Sequence, residues 1–436
     1  MKHCNHKSWI VPTIRILMLS IIMSCTQAIS ACDLKIGAAS VKITPPIGIP
    51  MAGYYYERGA QKVHDDLFAK ALVIDKDGSK VAIVSCDLIE VSAVLVAMVR
   101  NIVEKSAGID ADHVMISATH SHTGPVIPSV GNNIDNPKGK GAEILAQYIS
   151  KLPLLIAESV ERANKALQPA KISYGSGHEE SISFNRRFYM TDGTVGWNTG
   201  KLNPKIIKPA GPIDPDVSVL YSETPDGIPI STYVNFAIHL DNVNSTEISA
   251  DVPFTLSTIL GKVKTPEMVT LFAQGCSGNV NQVNVKSREP EQGYDVSQKI
   301  GTVLAGEVIK TYTRLQFLDI NSITVKREIV KLPLAEISSD ELPKAREIVA
   351  TAGKPNPAPF LELVKAFKIV DIYDRNGKPI DAEIQVFAIC DKCAIVSLPG
   401  EIFTELGMYI KSRSPYPYTM VVDLTGKHLL KVIMNR

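Results

Sequence analysis

The sequence predicts a single α/β catalytic domain built on a large mixed β-sheet flanked by helices. Three observations carry that expectation. Short runs rich in Val, Ile and Ala recur from Leu34 to Leu424 and alternate with helix-spaced stretches, as strands covered on both faces do. Val81 to Ser85, Val91 to Ser106 and Val114 to His120 read as strand, helix, strand, the order of a buried parallel pair. No internal repeat, low-complexity tract or interdomain linker divides the 436 residues, although that length has room for two average domains.

The elements follow in order. Lys2, Lys7 and Arg15 precede an apolar run, Ile16 to Met23, and then small residues around Ala28 to Ala31. That order predicts a signal peptide over 1–31 and an exported protein, periplasmic or secreted. The run is shorter than the roughly 20 residues of a membrane span. Cys25 and Cys32 each end a lipoprotein-like box, Cys32 the better of the two, so a lipid anchor at the membrane surface stays open. Leu34 to Gly37 and Ser40 to Thr44 read as two short strands, and Thr44 to Pro50 as a loop held by prolines. Asp77-Gly-Ser79 makes a hairpin turn between Phe68–Ile74 and Val81–Ser85.

Glu143 to Leu167 reads as a helix interrupted at Pro153. Asn185 to Asp216 has little periodicity, and a loop that long is usually functional. Further strands are expected at Val217–Tyr221, Ile228–Ala237 and Met268–Phe272. Ile337 to Phe367 is largely helical, broken at Lys354–Pro359. Cys390-Asp-Lys-Cys393 lacks the second C-x-x-C of a four-sulfur zinc site and reads as a turn between strands, bridged or not. Ile402 to Ser412 closes the series as a helix. Lys plus Arg (46) nearly equals Asp plus Glu (45), so no footprint for nucleic acid is present.

Four strands deliver chemistry-bearing residues into loops. Val114 to Ala118 leads to His120-Ser-His122, and period-two alternation sets both imidazoles on one face. Tyr233 to Ile238 ends in His239, Val269 to Gln274 enters Gly275-Cys-Ser-Gly-Asn-Val-Asn281, and Ala394 to Leu398 leads to Glu401. Two or three imidazoles with one carboxylate are an ordinary zinc set that leaves room for water. Each segment alone has a plainer reading: His-x-His is common by chance, and Glu401 suits the positive end of a helix.

Together these segments resemble the neutral/alkaline non-lysosomal ceramidases. Ile116-Ser-Ala-Thr-His-Ser-His-Thr-Gly-Pro125 is similar to that family's signature. Asn235-Phe-Ala-Ile-His239, Phe272-Ala-Gln-Gly275 and Leu398-Pro-Gly-Glu401 follow in family order. The resemblance implies an α/β catalytic domain over 32–436 that binds one Zn2+ and cleaves the amide of N-acylsphingosine. It implies His120, His239 and Glu401 as zinc ligands, His122 as a proton relay beside the metal, and Arg186 as a residue facing the substrate. Asn281 stands where the family has its catalytic serine, and Ser277 is out of register. Lys427-His428 stands where a tyrosine ligand is expected, and the family's C-terminal β-domain is expected to be absent.

The functional expectation is therefore an exported zinc-dependent amidohydrolase acting on a lipid or small-molecule amide with metal-activated water. Two alternatives stay open: the same site cutting another amide, ester or glycan-linked group, and a non-catalytic binding protein. Asp87 is a candidate for orienting a ligand histidine, and His64-Asp65-Asp66 for a further site element. Trp197 and Tyr54-Tyr-Tyr56 are candidates for a pocket wall, and His113 for the surface.

Overall fold

The computed structural model describes residues 1, 34–54, 56–128, 139–354 and 356–426. The expected signal peptide, the lipoprotein box at Cys32 and His428 lie outside them. Residues from Leu34 onward form one compact unit. Its architecture is mixed α/β, with the strands divided among several sheets, of which the three largest, of five, five and four strands, are mixed.

The first sheet holds β1 (Leu34–Lys42), β2 (Phe68–Lys76) and β3 (Ser79–Cys86), each antiparallel to the next. Helix α1 (Ala93–Ala107) then crosses over to β4 (Val114–Ala118), which runs parallel to β3 at the sheet edge. Helix α2 (Gly139–Lys165) follows, and Gln168–Pro169 pairs with the far side of β1. The second sheet repeats this wiring. Strands β5 (Lys171–His178), β6 (Asp216–Glu223) and β7 (Pro229–Phe236) are antiparallel, α3 (Val252–Val263) crosses over, and β8 (Val269–Gln274) runs parallel to β7. Helix α4 (Tyr294–Thr311) returns the chain to β9 (Gln316–Leu318) beside β5. In the third sheet β10 (Thr324–Leu332) is followed by a helical hairpin, α5 (Glu341–Val349) and α6 (Phe360–Asp374). Then come β11 (Ile380–Ala388), β12 (Cys393–Ser397), α7 (Thr404–Arg413) and β13 (Tyr418–Val422), with β12 and β13 parallel.

Packing follows from strand alternation. In β3, Val81 and Ile83 face a core shared by all three sheets, where they join Tyr233 and Leu271 of the second and Phe387 and Met420 of the third. Ala82, Val84 and Cys86 point the other way, into a layer with Leu95, Val99 and Val103 of α1. Both faces are apolar, which is why these strands read as continuous apolar runs. Ser92 caps α1 by accepting from the Leu95 N–H at 3.3 Å, a contact worth about 1 kcal/mol. Gly108 ends the helix in the left-handed region at φ 64°.

The expected secondary structure needs three corrections. Leu34–Lys42 is one strand, not two, because full pairing with β2 carries it through Ala38 and Ala39. Helix α2 passes through Pro153 without a break; the proline is buried between Leu152 and Ile156, and packing offsets its missing hydrogen bond. The long stretch after Asn185 contains a three-stranded sheet of Arg187–Met190, Val195–Trp197 and Ile206–Pro209. Its strands are too short to show a period. Cys390 and Cys393 do form a turn between strands, and both thiols are buried and unbridged. No helix among the described residues is long and apolar enough to cross a membrane.

Three edge strands, β4, β8 and β13, bring their carboxyl ends together. The Ala118 N–H donates to the Leu424 carbonyl at 3.3 Å, and the Asp423 N–H to the Gln274 carbonyl at 3.0 Å. Loops leaving β3, β4, β7 and β12 open at this junction.

Candidate metal centre

His120 follows β4 by one residue, His122 by three, and His239 lies beyond the end of β7. All three are buried. His120 has φ 71°, unusual for a residue with a side chain, and such strain persists only where the surroundings impose it. Here they do: its N–H donates to the Leu88 carbonyl at 2.9 Å, and its Nδ1 lies 2.8 Å from the Ile89 carbonyl. His122 Nδ1 lies 3.1 Å from the Gly53 carbonyl.

These contacts decide the tautomers. A carbonyl only accepts, so both Nδ1 atoms carry hydrogen and both Nε2 atoms present lone pairs. Yet the two Nε2 atoms are 3.3 Å apart, and His239 Nε2 is 3.2 Å from His120 Nε2. Lone pairs that close repel unless a cation lies among them. Donors about 2.0–2.1 Å from a tetrahedral ion stand about 3.3 Å from one another. Donor type and spacing thus fit a first-row metal ion, and His120, His122 and His239 form a group able to hold one.

Glu401 supplies a carboxylate at the edge of the group. Its Oε2 lies 3.8 Å from His120 Nε2, 3.9 Å from His239 Nδ1 and 3.6 Å from Arg186 Nη2. Arg186 is buried, donates through Nη2 to the Gly278 carbonyl at 2.6 Å and stacks on Trp197, with 4.6 Å from Cζ to the ring. Burial lowers its pKa, while Glu401 and Asp241 oppose that shift. The structure therefore brings together all five candidates, His120, His122, His239, Glu401 and Arg186, and groups His122 with the other two imidazoles. Beside them lies a cavity of about 190 Å³ whose wall includes Arg186, His239 and Asn281.

Supporting residues sort differently from expectation. Asp87 accepts from the Phe68 N–H at 2.9 Å and anchors its loop, while the Leu88 and Ile89 carbonyls do the orienting of His120. Burial pushes the Asp87 carboxyl up to about 6, with Lys70 opposing. His64 does not reach the cluster: it pairs with Asp65 at 2.8 Å and stacks on Tyr294. Asp65 accepts from Ser249 Oγ at 2.6 Å, and the Ser249 carbonyl accepts from Ser121 and Thr123 beside the ligands. Ser277 is fully buried, its N–H 3.1 Å from Asp423 Oδ2. His113 is half-buried at the start of β4, with Nδ1 2.9 Å from the Lys80 carbonyl.

Sequence reasoning missed Arg58. Its guanidinium donates to the Ser245 carbonyl at 2.6 Å, to the Ala52 carbonyl at 2.7 Å, and to the His122 carbonyl. It also lies over the Tyr54 ring at 4.2 Å, and Tyr54 donates to Asp241 Oδ1 at 2.6 Å. Burial, then Asp241, raises the Tyr54 pKa, so the phenol keeps its proton. A lone arginine in a glycine-rich loop carries no pattern that would have marked this role.

A family model described as neutral/alkaline non-lysosomal ceramidase, N-terminal, matches residues 34–281. The neutral ceramidase of Pseudomonas aeruginosa is 26% identical over 216 residues, which cover 47% of this chain and 30% of that protein. The matched stretch is thus under a third of that relative's length. The crystal structure of neutral ceramidase from Pseudomonas aeruginosa superimposes with a TM-score of 0.68 at 21% identity, covering 91% of this chain and 68% of that one. A ceramidase complexed with C2 gives 0.66 at 19% identity, over 90% and 68%. At such identities the likeness speaks for the fold.

Proposed function

The chain belongs to the neutral/alkaline non-lysosomal ceramidase family, and from that premise we propose that it is an exported, zinc-dependent amidohydrolase acting on a lipid amide of the N-acylsphingosine type. One observation carries the reading: His120 Nε2 lies 3.2 Å from His239 Nε2 and 3.3 Å from His122 Nε2, with the Nδ1 atoms of His120 and His122 committed to carbonyls. That arrangement suits a cation and little else.

His120, His122 and His239 hold the ion in this reading, with Glu401 completing the set. Bound zinc supplies Lewis acidity to a carbonyl and lowers the pKa of water toward about 7. Arg186 keeps its positive charge beside the cavity, with Glu401 supporting it, and faces the oxygen on which negative charge develops. The Ile89 and Gly53 carbonyls hold two imidazoles in the tautomer that offers Nε2. Asn281 is tied to Asn198 at 3.2 Å and to the Val283 N–H at 3.1 Å, and an amide is no nucleophile. Water is therefore the attacking group, without an acyl-enzyme.

The test is elemental analysis of the purified protein beside amide hydrolysis by the same preparation. About one zinc per chain, with ceramide cleavage abolished by chelation and restored by zinc, is expected. Full activity in the metal-free protein would overturn the proposal. The membrane-anchored or soluble destination is tested by fractionation of cells expressing the full chain with Cys32 intact or replaced by Ser.

A further inference from the structure

We propose that the outer face of the small sheet spanning Arg187 to Pro209 docks this protein on an anionic phospholipid surface, with the mouth of the cavity turned to that surface. Docking does not depend on the amidohydrolase reading, whereas its service to the site rests on it.

Register decides what the face carries. Tyr189 pairs with Val195 on one side and with Lys208 on the other, and Arg187 pairs with Trp197, so these five side chains share one face. Phe188 and Met190 alternate with them and are buried, and Phe188 lines the cavity. The sheet is therefore a wall, a single layer of strand thick, between cavity and solvent. Asn198 and Gly200 follow Trp197 closely, are exposed, and line the cavity as well. The mouth thus opens beside the same face.

That face has the composition of a membrane interface. Tyr189, Val195, Leu202 and Ile207 are 43–61% exposed. Exposed apolar side chains scattered singly need no explanation, but Tyr189 and Val195 stand directly opposed and Ile207 is the bulge residue beside Lys208. Around them are Arg187, Lys201, Lys205 and Lys208 against one acid, Asp192, in a chain whose net charge is +1. The Lys208 ammonium lies 5.6 Å from the centre of the Tyr189 ring. Aromatic and lysine side chains with an apolar body and a polar tip settle at headgroup depth.

Charge also selects the occupant. A second copy of this chain would set basic groups on basic groups, and lysine is depleted in protein interfaces. Anionic headgroups attract each lysine near the surface. A lipid leaving such a surface reaches the cavity mouth without crossing bulk water.

The test sediments the full chain with phosphatidylcholine vesicles holding about 30 mol% phosphatidylglycerol, and with phosphatidylcholine alone. The N-terminal apolar run is common to every variant, so differences between variants report the sheet. Wild type should bind the anionic vesicles, and Lys205→Gln/Lys208→Gln should lower that partition about tenfold or more. Tyr189→Ser/Ile207→Ser keeps every charge and should lower it several-fold. Undiminished binding in the lysine pair would overturn the inference. So would undiminished binding in the serine pair, which would mark a general polyanion site. Lys208→Gln and Ile207→Ser alone carry the comparison if a double variant does not fold.

Kinetics of the zinc-loaded protein complete it. Both double variants should lose turnover of ceramide held in the anionic vesicles and keep turnover of a short, water-soluble N-acyl amine. Vesicle turnover that persists after binding is lost would overturn the link between face and site. If wild type hydrolyses neither amide, the amidohydrolase reading falls, and sedimentation still decides the docking.

Discussion

The ends of β4 and β8 occupy the same place in two sheets of the same wiring, yet they do opposite work. After β4 the chain turns His120 and His122 inward, held by loop carbonyls and by one strained φ. After β8 two glycines, Gly275 and Gly278, let the backbone pack closely against its neighbours. A Cβ on Gly275 would lie 2.8 Å from the Ala237 nitrogen, and one on Gly278 would lie 2.6 Å from the Glu401 carbonyl oxygen. The β8 end is thus a spacer wedged between the loop that carries His239 and the loop that carries Glu401. Equivalent topology supplies equivalent positions, and side-chain size then decides whether a strand end offers ligands or sets the distance between them.

The strongest way to break this comparison is to remove a ligand. On the proposed reading, His120→Ala should bind no zinc above the background of elemental analysis and show no amide hydrolysis, while Ser277→Ala at the β8 end still binds zinc. Equal metal loss in both would mean that the two ends are not specialised. Next in size, Gly278→Ala should push the Glu401 loop away. We expect about 1–3 kcal/mol of lost stability from overpacking, read by denaturant melts in excess chelator, together with weaker zinc binding. Unchanged binding would show that the spacer role is empty.

Arg58→Lys sharpens the comparison from outside. Lysine cannot span three carbonyls, so the His122 loop loosens, and zinc affinity should fall about 10–100-fold, the usual cost of losing a residue that supports a ligand. A competition titration against a chelator of known affinity measures it. The smallest effect concerns Asp87, beneath the His120 loop. Its carboxyl titrates near about 6 when folded and near about 3.9 when unfolded. Between those values the folded protein keeps a proton that the unfolded chain has released. This group therefore makes stability fall as pH rises from about 4 to about 6; below that window it contributes nothing, and above it the full penalty persists without further change. Melting temperatures of wild type and Asp87→Asn against pH should differ in slope only there.

Much of the site was legible. His120, His122, His239 and Glu401 each follow an apolar run, and a strand end is a place that linear order can reveal. Arg186 was reached through resemblance and does lie against the cavity. What stayed hidden depended on contacts between distant segments. Nothing local marks Arg58, whose partners are 6 to 187 residues away. The sequence reading places His122 beside the metal, and the structure sets its Nε2 3.3 Å from that of His120.

By itself the sequence determined that apolar runs such as Val81–Ser85, Val114–Ala118 and Val269–Gln274 become strands, because runs of this kind are stable only when covered on both faces. It also determined the imidazole and carboxylate inventory at their ends, since alternation places them. Tertiary structure alone decided that the strands divide among several sheets, and that β4, β8 and β13 meet end to end. Only that meeting sets nitrogen atoms from residues 120, 122 and 239 within one ion's reach. The physical reason is range: period and propensity act over a few residues, whereas the spacing of donors in a metal site is fixed by backbone packing between segments more than a hundred residues apart.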